Sequence, residues 1–269
     1  MDESLQRRID SHWARRLGCD PALLRAPGVH ALAAGEGGAR RRVFLLARDA
    51  TLLLHGEEAV VRALAEHLGE DPSLPAEARL RAALGARAGR AIGPALLLHR
   101  EGPPATPAGA GEPRPFAASD RAALARLRDA VTAPEWERSG LGHRGEPAAT
   151  AGVFESGVLL AAAGFETIAE RVARLGVITH PAARGLGAGR RAAALAAQQA
   201  AGRSLLLEYP SLEANAASLR IASVLGFSPY ARCLAIELAG SARALAPVRA
   251  VGNPRGPVRE PAVREETAR

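Results

Sequence analysis

The sequence predicts an α/β fold, of the α+β type, in which helices pack on a mixed sheet. Short apolar runs typical of strands alternate with segments of helical periodicity. Ser156-Gly157 lies between two such runs, which is a hairpin signal. A strand pattern ending at Thr179 leads through a glycine-rich turn into a long Ala-rich helix over 184–201. Mixed sheets with packed helices fit this order of elements.

Two segments of unusual composition divide the chain. Residues 101–116 contain five Pro and three Gly in sixteen positions, a composition that predicts a linker without a packed core. Residues 240–269 are rich in Pro, Gly and Arg and lose all periodicity, which predicts a disordered tail. The remainder forms two predicted units, an N-terminal α/β unit over 1–100 and a second unit over 113–239.

The N-terminal unit carries the pattern of three strands, two helices and a final strand. Apolar spacing in the first helix stops at Gly69, and Leu74-Pro75 opens the second. The predicted strands are 29–34, two within 42–55, and 91–98; the predicted helices are 57–68 and 74–84.

The second unit carries a helix, three strands, and then helices and strands in alternation. Ser119 or Asp120 is the expected N-cap of the first helix. The predicted strands are 152–155, 158–165, 173–179, 205–207 and 233–238, and the predicted helices begin near 120, 184 and 215.

Composition excludes several classes of protein. The net charge is +7, but all 35 basic residues are Arg and six of them lie in the predicted tail. We interpret the absence of Lys as codon usage of a GC-rich, bacterial genome, and a nucleic-acid partner is disfavoured because no basic stripe is interleaved with aromatics. No apolar run approaches the roughly 20 residues of a membrane span, and the N-terminus has no secretory pattern. Two distant cysteines indicate neither disulfides nor a metal site, so we expect a cytoplasmic protein without metal.

The residues most informative about chemistry lie between Leu175 and Arg190. A strand ends at Thr179, and three glycines then lead into a helix. Glycines permit close backbone approach, and amides at a helix N-terminus bind anions, so a pyrophosphate suits this turn. The spacing is neither GxGxxG nor a P-loop, which needs a Lys. The alternative is a glycine turn that only caps the helix.

This segment resembles motif A of the GNAT family, the GCN5-related N-acetyltransferases, written R/Q-x-x-G-x-G/A. Arg184, Gly187 and Gly189 fill its three fixed places. Downstream, Asn215-Ala216-Ala217-Ser218 and Leu225-Gly226-Phe227 resemble motif B of the family. The resemblance covers about 113–239. It implies a GNAT-like, mostly antiparallel mixed sheet flanked by helices, with acetyl-CoA as cosubstrate in a V-shaped opening beside the strand ending at Thr179.

The resemblance also implies which residues bind the cosubstrate. The backbone of the strand end would bind the pantetheine arm, the amides of the turn would bind the pyrophosphate, and Asn215 would contact the CoA arm. In order along the chain, the implied residues are Val177, Ile178, Thr179, Arg184, Gly185, Leu186, Gly187, Ala188, Gly189, Arg190 and Asn215.

Acyl transfer to an amine also needs a base, and the departing thiolate often receives a proton from an acid. Glu166 and Glu170 precede the strand and are the candidate bases. Many family members carry a Tyr seven residues after the motif B Asn, where this chain has Ala222. Tyr230 is the candidate substitute, with Ser223 as an alternative.

The resemblance implies an N-acetyltransferase that acts on an amine of a small molecule or a protein by direct attack in a ternary complex. The absence of the Tyr keeps a second hypothesis open, a CoA-binding sensor or pseudoenzyme. A nucleic-acid or partner-binding module using the Arg-rich tail is a third. The N-terminal unit is expected to be a degenerate half of the same fold, a lid or a dimerisation unit, the last implying a homodimer.

Overall fold

One ten-stranded sheet runs through the described part of the chain. The computed structural model describes residues 2–35, 41–141, 149–169 and 171–239. The strands are β1 (Gly28–Ala33), β2 (Arg42–Arg48), β3 (Thr51–Gly56), β4 (Ala88–Arg100), β5 (Glu112–Pro115), β6 (Ala149–Glu155), β7 (Val158–Ile168), β8 (Val172–Thr179), β9 (Leu206–Leu212) and β10 (Ser228–Leu238). The helices are α1 (Glu3–Leu17), α2 (Glu58–Leu68), α3 (Glu77–Leu84), α4 (Arg121–Asp129), α5 (Ala133–Arg138), α6 (Ala188–Ala201) and α7 (Ala216–Val224).

The strand order is β1-β3-β2-β10-β4-β9-β8-β7-β6-β5. Seven of the nine neighbouring pairs described are antiparallel, and β1–β3 and β8–β9 are parallel. The predicted fold class, a mixed and mostly antiparallel sheet flanked by helices, is therefore confirmed. The sheet also joins the two predicted units, because β10 lies between β2 and β4.

Helices cover both faces of the sheet. On the front face, α1 packs through Ile9 and Trp13, and α4 packs through Leu124 and Leu127. On the back face, α2 and α3 cover the N-terminal strands, and α6 covers β6 to β9. The buried side of α6 is Ala and Gly throughout, so the helix lies close to the strands. Small residues thus set the spacing that positions the start of α6.

The prediction of an unpacked linker over 101–116 is wrong. Residues 112–115 form β5, which pairs with β6 at the sheet edge. The preceding residues 104–111, which we call the α6 strap, accept hydrogen bonds from α6 side chains through their carbonyl oxygens. Pro and Gly lack large side chains to bury, but their carbonyls accept hydrogen bonds as well as any others.

Element boundaries differ from the prediction mainly at strand ends. The strands β4, β9 and β10 extend beyond the predicted 91–98, 205–207 and 233–238, because pairing with neighbouring strands lengthens them. The helix predicted over 184–201 begins at Ala188, after a short 3₁₀ turn at Pro181–Ala183. The predicted tail over 240–269 lies outside the described residues.

Candidate active site

A V-shaped opening lies between β8 and β9. The two strands pair in parallel at Val172–Leu206, Ala173–Leu207 and Arg174–Glu208, where their described pairing ends. Beyond this vertex β8 continues to Thr179 against β7, whereas β9 continues to Leu212 against β4. The diverging ends leave backbone groups of one strand without a partner on the other, which is the opening that the family resemblance implies.

The glycine-rich turn follows directly from the end of β8. Gly185 and Gly187 adopt φ values of +81° and +86°, a left-handed region that favours glycine. Gly187 is the N-cap of α6, and because glycine has no side chain, the N-cap residue does not bond the amides of the first turn. A Cβ on Gly189 would lie 2.4 Å from Thr179 Oγ1, so this glycine lets α6 start against the end of β8. The turn therefore presents a helix N-terminus at the mouth of the opening.

The two arginines of this turn have protein partners. Arg184 Nη2 lies 3.0 Å from Glu135 Oε1 on α5. Arg190 Nε donates to the carbonyl of Ala108 in the α6 strap at 2.9 Å. Both guanidinium groups thus lie near the turn while engaged with neighbouring segments, an arrangement that sequence spacing does not reveal.

The backbone of β8 is also partly engaged. The amide of Val177, one of the predicted pantetheine-binding groups, donates to the carbonyl of Ser139 at 3.0 Å. Ser139 is buried and lies immediately after α5. A Cβ on Gly176 would lie 2.4 Å from that carbonyl oxygen, so the close approach depends on glycine at 176.

Ser218 of motif B and Tyr209 of β9 form a hydroxyl pair that the sequence did not predict. Asn215 Oδ1 accepts from the Ser218 amide at 3.1 Å and caps α7. Ser218 Oγ lies 3.1 Å from the hydroxyl of Tyr209, the first β9 residue past the vertex. Burial raises the pKa of Tyr209 to about 12, against the opposing effect of the Ser218 hydrogen bond. Ala222 belongs to the same buried cluster as the Tyr209 ring. The small residue at 222 is the sequence feature that could have indicated a hydroxyl supplied by another element.

Tyr230, the predicted substitute for the missing Tyr, does not lie at the opening. It belongs to β10, which β4 separates from β9. Its hydroxyl donates to Asp10 Oδ1 at 2.8 Å beneath α1, and burial raises its pKa. Arg48 also bonds Asp10 and lies over the Tyr230 ring. The assignment of Tyr230 as catalytic acid is wrong, because its hydroxyl is committed to a buried structural network.

The predicted bases have different outcomes. Glu166 lies on β7 directly opposite Arg174. Burial would lower the pKa of Arg174, but Glu208 above all, and then Glu166, raise it. It is half-buried on the front face, beside the vertex of the opening. Its role as base stays a prediction. Glu170 lies outside the described residues.

A buried charged cluster lies at the vertex itself. Glu208 is fully buried and accepts from Arg174 Nε at 2.7 Å. His99 Nε2 and His12 Nε2 lie 3.3 Å and 3.9 Å from its second carboxylate oxygen. Burial alone would raise the pKa of Glu208, but Arg174 and then His99 outweigh it and hold the pKa well below its usual range. The carboxylate is therefore ionised at neutral pH.

His12 makes stability depend on pH. Burial lowers its pKa from 6.5 to about 4, with smaller contributions from Arg16, His99 and Arg174 and an opposing one from Glu208. Below pH 6.5 the unfolded chain binds a proton at His12 that the folded chain does not, so stability falls with pH. We expect His12 to remove about 2–3 kcal/mol from the free energy of unfolding between pH 7 and pH 4.5.

Urea denaturation at several pH values measures this effect. The variant His12→Gln should lose that part of the decline, whereas the exposed control His67→Gln should keep it. Identical pH profiles for His12→Gln and the unmodified chain would contradict the assignment.

Two features are absent from the described residues. No group of three or more His, Cys, Asp or Glu side chains is arranged there to hold a metal ion. None of the helices in the described ranges has the length and apolar character needed to cross a membrane.

Residues 122–227 match the family model of the acetyltransferase (GNAT) family. No curated protein matches the chain. Similar solved structures include a GNAT acetyltransferase from Novosphingobium aromaticivorans DSM 12444, at 24% identity and TM-score 0.44 over 58% of this chain and 68% of that one. A GNAT protein from Kribbella flavida is 20% identical, with a TM-score of 0.46, over 87% of this chain and 96% of that one. A GNAT acetyltransferase from Colwellia psychrerythraea is 17% identical, with a TM-score of 0.46, over 73% of this chain and 81% of that one.

The matched residues include the elements that form the opening. They run from the start of α4, through β8 and the glycine-rich turn, to the end of motif B. These residues also contain motifs A and B. The likeness to the acetyltransferase (GNAT) family is thus carried by residues 122–227, which are somewhat less than half of the chain.

Proposed function

We propose that the protein is an acetyl-CoA-dependent N-acetyltransferase that acetylates an amine of a small molecule or a protein within a ternary complex. The observation that carries this proposal is the diverging pair β8–β9, which leads directly to the glycine-rich start of α6. An extended pantetheine arm fits between diverging strands as a partner for their backbone groups, and a pyrophosphate fits the helix amides.

The proposed binding residues follow the order of the cosubstrate. The strand end at 177–179 would pair with the pantetheine arm, and the amides of 184–189 would bind the pyrophosphate. Arg184 and Arg190 would add positive charge once released from Glu135 and Ala108. Asn215, which caps α7, would lie beside the CoA arm.

The chemistry would be direct attack of the amine nitrogen on the thioester carbonyl. The nitrogen forms the new bond to carbon, the C–S bond breaks, and its electron pair leaves with sulfur. Backbone amides of β8 would stabilise the developing oxyanion. Glu166 would take the amine proton, and the Tyr209–Ser218 pair would donate a hydrogen bond to the sulfur in place of a hydroxyl at 222.

One observation favours a second candidate function, a CoA sensor without turnover. Ala222 is fully buried and has no group to protonate a thiolate. Under this alternative the chain binds acetyl-CoA through the same turn, and the cosubstrate itself is the signal.

Calorimetric titration with acetyl-CoA, followed by a panel of amines assayed for free CoA, separates these candidates. The proposed enzyme binds acetyl-CoA and releases CoA with at least one amine. Tyr209→Phe should then lower kcat about 10- to 100-fold with unchanged affinity. Binding without turnover would favour the sensor, and no binding would contradict both.

A further inference from the structure

We propose that residues 133–141, which we call the clasp, close the acetyl-CoA groove until the cosubstrate displaces them. The inference rests on the proposed function, since it concerns the same groove. The clasp consists of α5 and the turn Ser139–Leu141 that follows it. It contacts the protein on both sides of the opening and at its centre.

On the first side, the clasp occupies the phosphate end of the groove. Glu135 Oε1 lies 3.0 Å from Arg184 Nη2, and the two side chains are 30% and 49% exposed. An ion pair this exposed contributes little stability and exchanges readily for another anion. A pyrophosphate at the helix N-terminus would compete with the Glu135 carboxylate for the same guanidinium and would be repelled by it.

On the second side, the clasp reaches across to β4, beyond β9. Glu137 Oε1 lies 3.0 Å from Arg90 Nη1 at the start of that strand. Since β9 lies between β8 and β4, the attachments at Arg184 and Arg90 lie on opposite sides of the opening. The helix α5 therefore spans the mouth of the V.

At the centre, the clasp uses the backbone group that the pantetheine arm needs. The Ser139 carbonyl accepts from the Val177 amide at 3.0 Å. Leu141 anchors the turn by packing in the front-face cluster with Ile178. Gly176 lets the turn lie directly on β8, because any Cβ there would collide with Ser139 and Gly140. Cosubstrate and clasp thus cannot both bond the Val177 amide.

The clasp competes with the cosubstrate for two groups, the Arg184 guanidinium and the Val177 amide. Loss of a clasp contact should therefore increase cosubstrate affinity, whereas loss of a residue that binds the cosubstrate would decrease it. Removing a clasp contact stabilises the open state relative to the closed one, so apparent cosubstrate affinity rises. The variant Glu135→Gln removes the charge but keeps the capping box, in which the Glu135 side chain accepts from the Thr132 amide, because Gln also serves at that position.

Titration calorimetry with acetyl-CoA tests the clasp. We expect Glu135→Gln to bind about 3- to 10-fold more tightly than the unmodified chain, and Glu135→Gln/Glu137→Gln more tightly still. The control Glu77→Gln breaks a 2.6 Å ion pair of similar exposure with Arg81, within α3, and should leave affinity unchanged. Equal or weaker binding by both clasp variants overturns the inference while leaving the proposed function intact.

Hydrogen exchange supplies an independent measurement on the unmodified chain. Acetyl-CoA should increase exchange within 133–141 as the turn leaves β8, and should keep the Val177 amide protected. Decreased exchange within 133–141 would mean that the cosubstrate binds with the clasp in place, and would overturn the inference. If neither the unmodified chain nor any variant binds acetyl-CoA, the proposed function and the clasp both fall.

Discussion

Gly187→Glu is expected to abolish acetyl-CoA binding. The residue lies at the N-cap of α6 with φ +86°, and a Cβ there would lie 2.8 Å from Arg190 Nε and 3.0 Å from Gly109 Cα. The new carboxylate would stand beside the phosphates, where like charges cost several kcal/mol. Affinity should fall about 100-fold or more, as measured by titration calorimetry.

The matched control is Gly85→Glu. Gly85 also has a positive φ, +54°, but open space surrounds its position in the N-terminal region. This variant carries the same charge and likewise places a side chain at a positive φ, and it should bind acetyl-CoA normally. Both variants should retain their far-ultraviolet circular dichroism. Normal affinity in folded Gly187→Glu would show that the turn does not bind the pyrophosphate.

The largest expected effect on stability is that of Glu208→Leu. The carboxylate is fully buried and bonds Arg174 at 2.7 Å, so its removal takes the bonded countercharge from a largely buried guanidinium. Breaking a buried ion pair from one side costs about 3–5 kcal/mol. Urea denaturation should show that loss, and the double variant Arg174→Met/Glu208→Leu should recover much of it because neither charge remains.

An exposed pair provides the comparison. The Arg87–Glu57 pair has a similar separation, 2.6 Å, but both side chains are partly exposed. Loss of Glu57 should cost less than about 1 kcal/mol. If Glu208→Leu were as mild as Glu57→Gln, burial would not make the vertex cluster important for stability.

Local sequence was sufficient where a structural choice depends on neighbouring residues. The hairpin at Ser156-Gly157, the strand ending at Thr179 and the helix start at Asn215 follow from turn chemistry, periodicity and caps. The helix α6 was also predicted, but it starts at Ala188 and not at the predicted 184. The family motifs made the glycine-rich turn interpretable. Because these signals involve residues close together in the sequence, they can be recognised without knowledge of the fold.

Local sequence did not determine which strands pair in the sheet. The sequence places β4 in the N-terminal unit, but the sheet places it between β9 and β10 of the second. Such pairings join residues more than 100 positions apart, and any apolar strand is compatible with many partners. For the same reason deletion of residues 1–105 removes a central strand and does not leave the second unit intact.

Tyr230 and Tyr209 show the same division between local and tertiary information. The sequence by itself determined that the chain carries the motifs of a GNAT acetyltransferase, because the turn and its glycines are contiguous. Only the tertiary structure decided that Tyr230 bonds Asp10 and that Tyr209 meets Ser218 near the opening. It also decided that Glu135 pairs with Arg184 and that the Ser139 carbonyl accepts from the Val177 amide. Side-chain direction and strand neighbours fix these contacts, and neither is encoded in the spacing of residues along the chain.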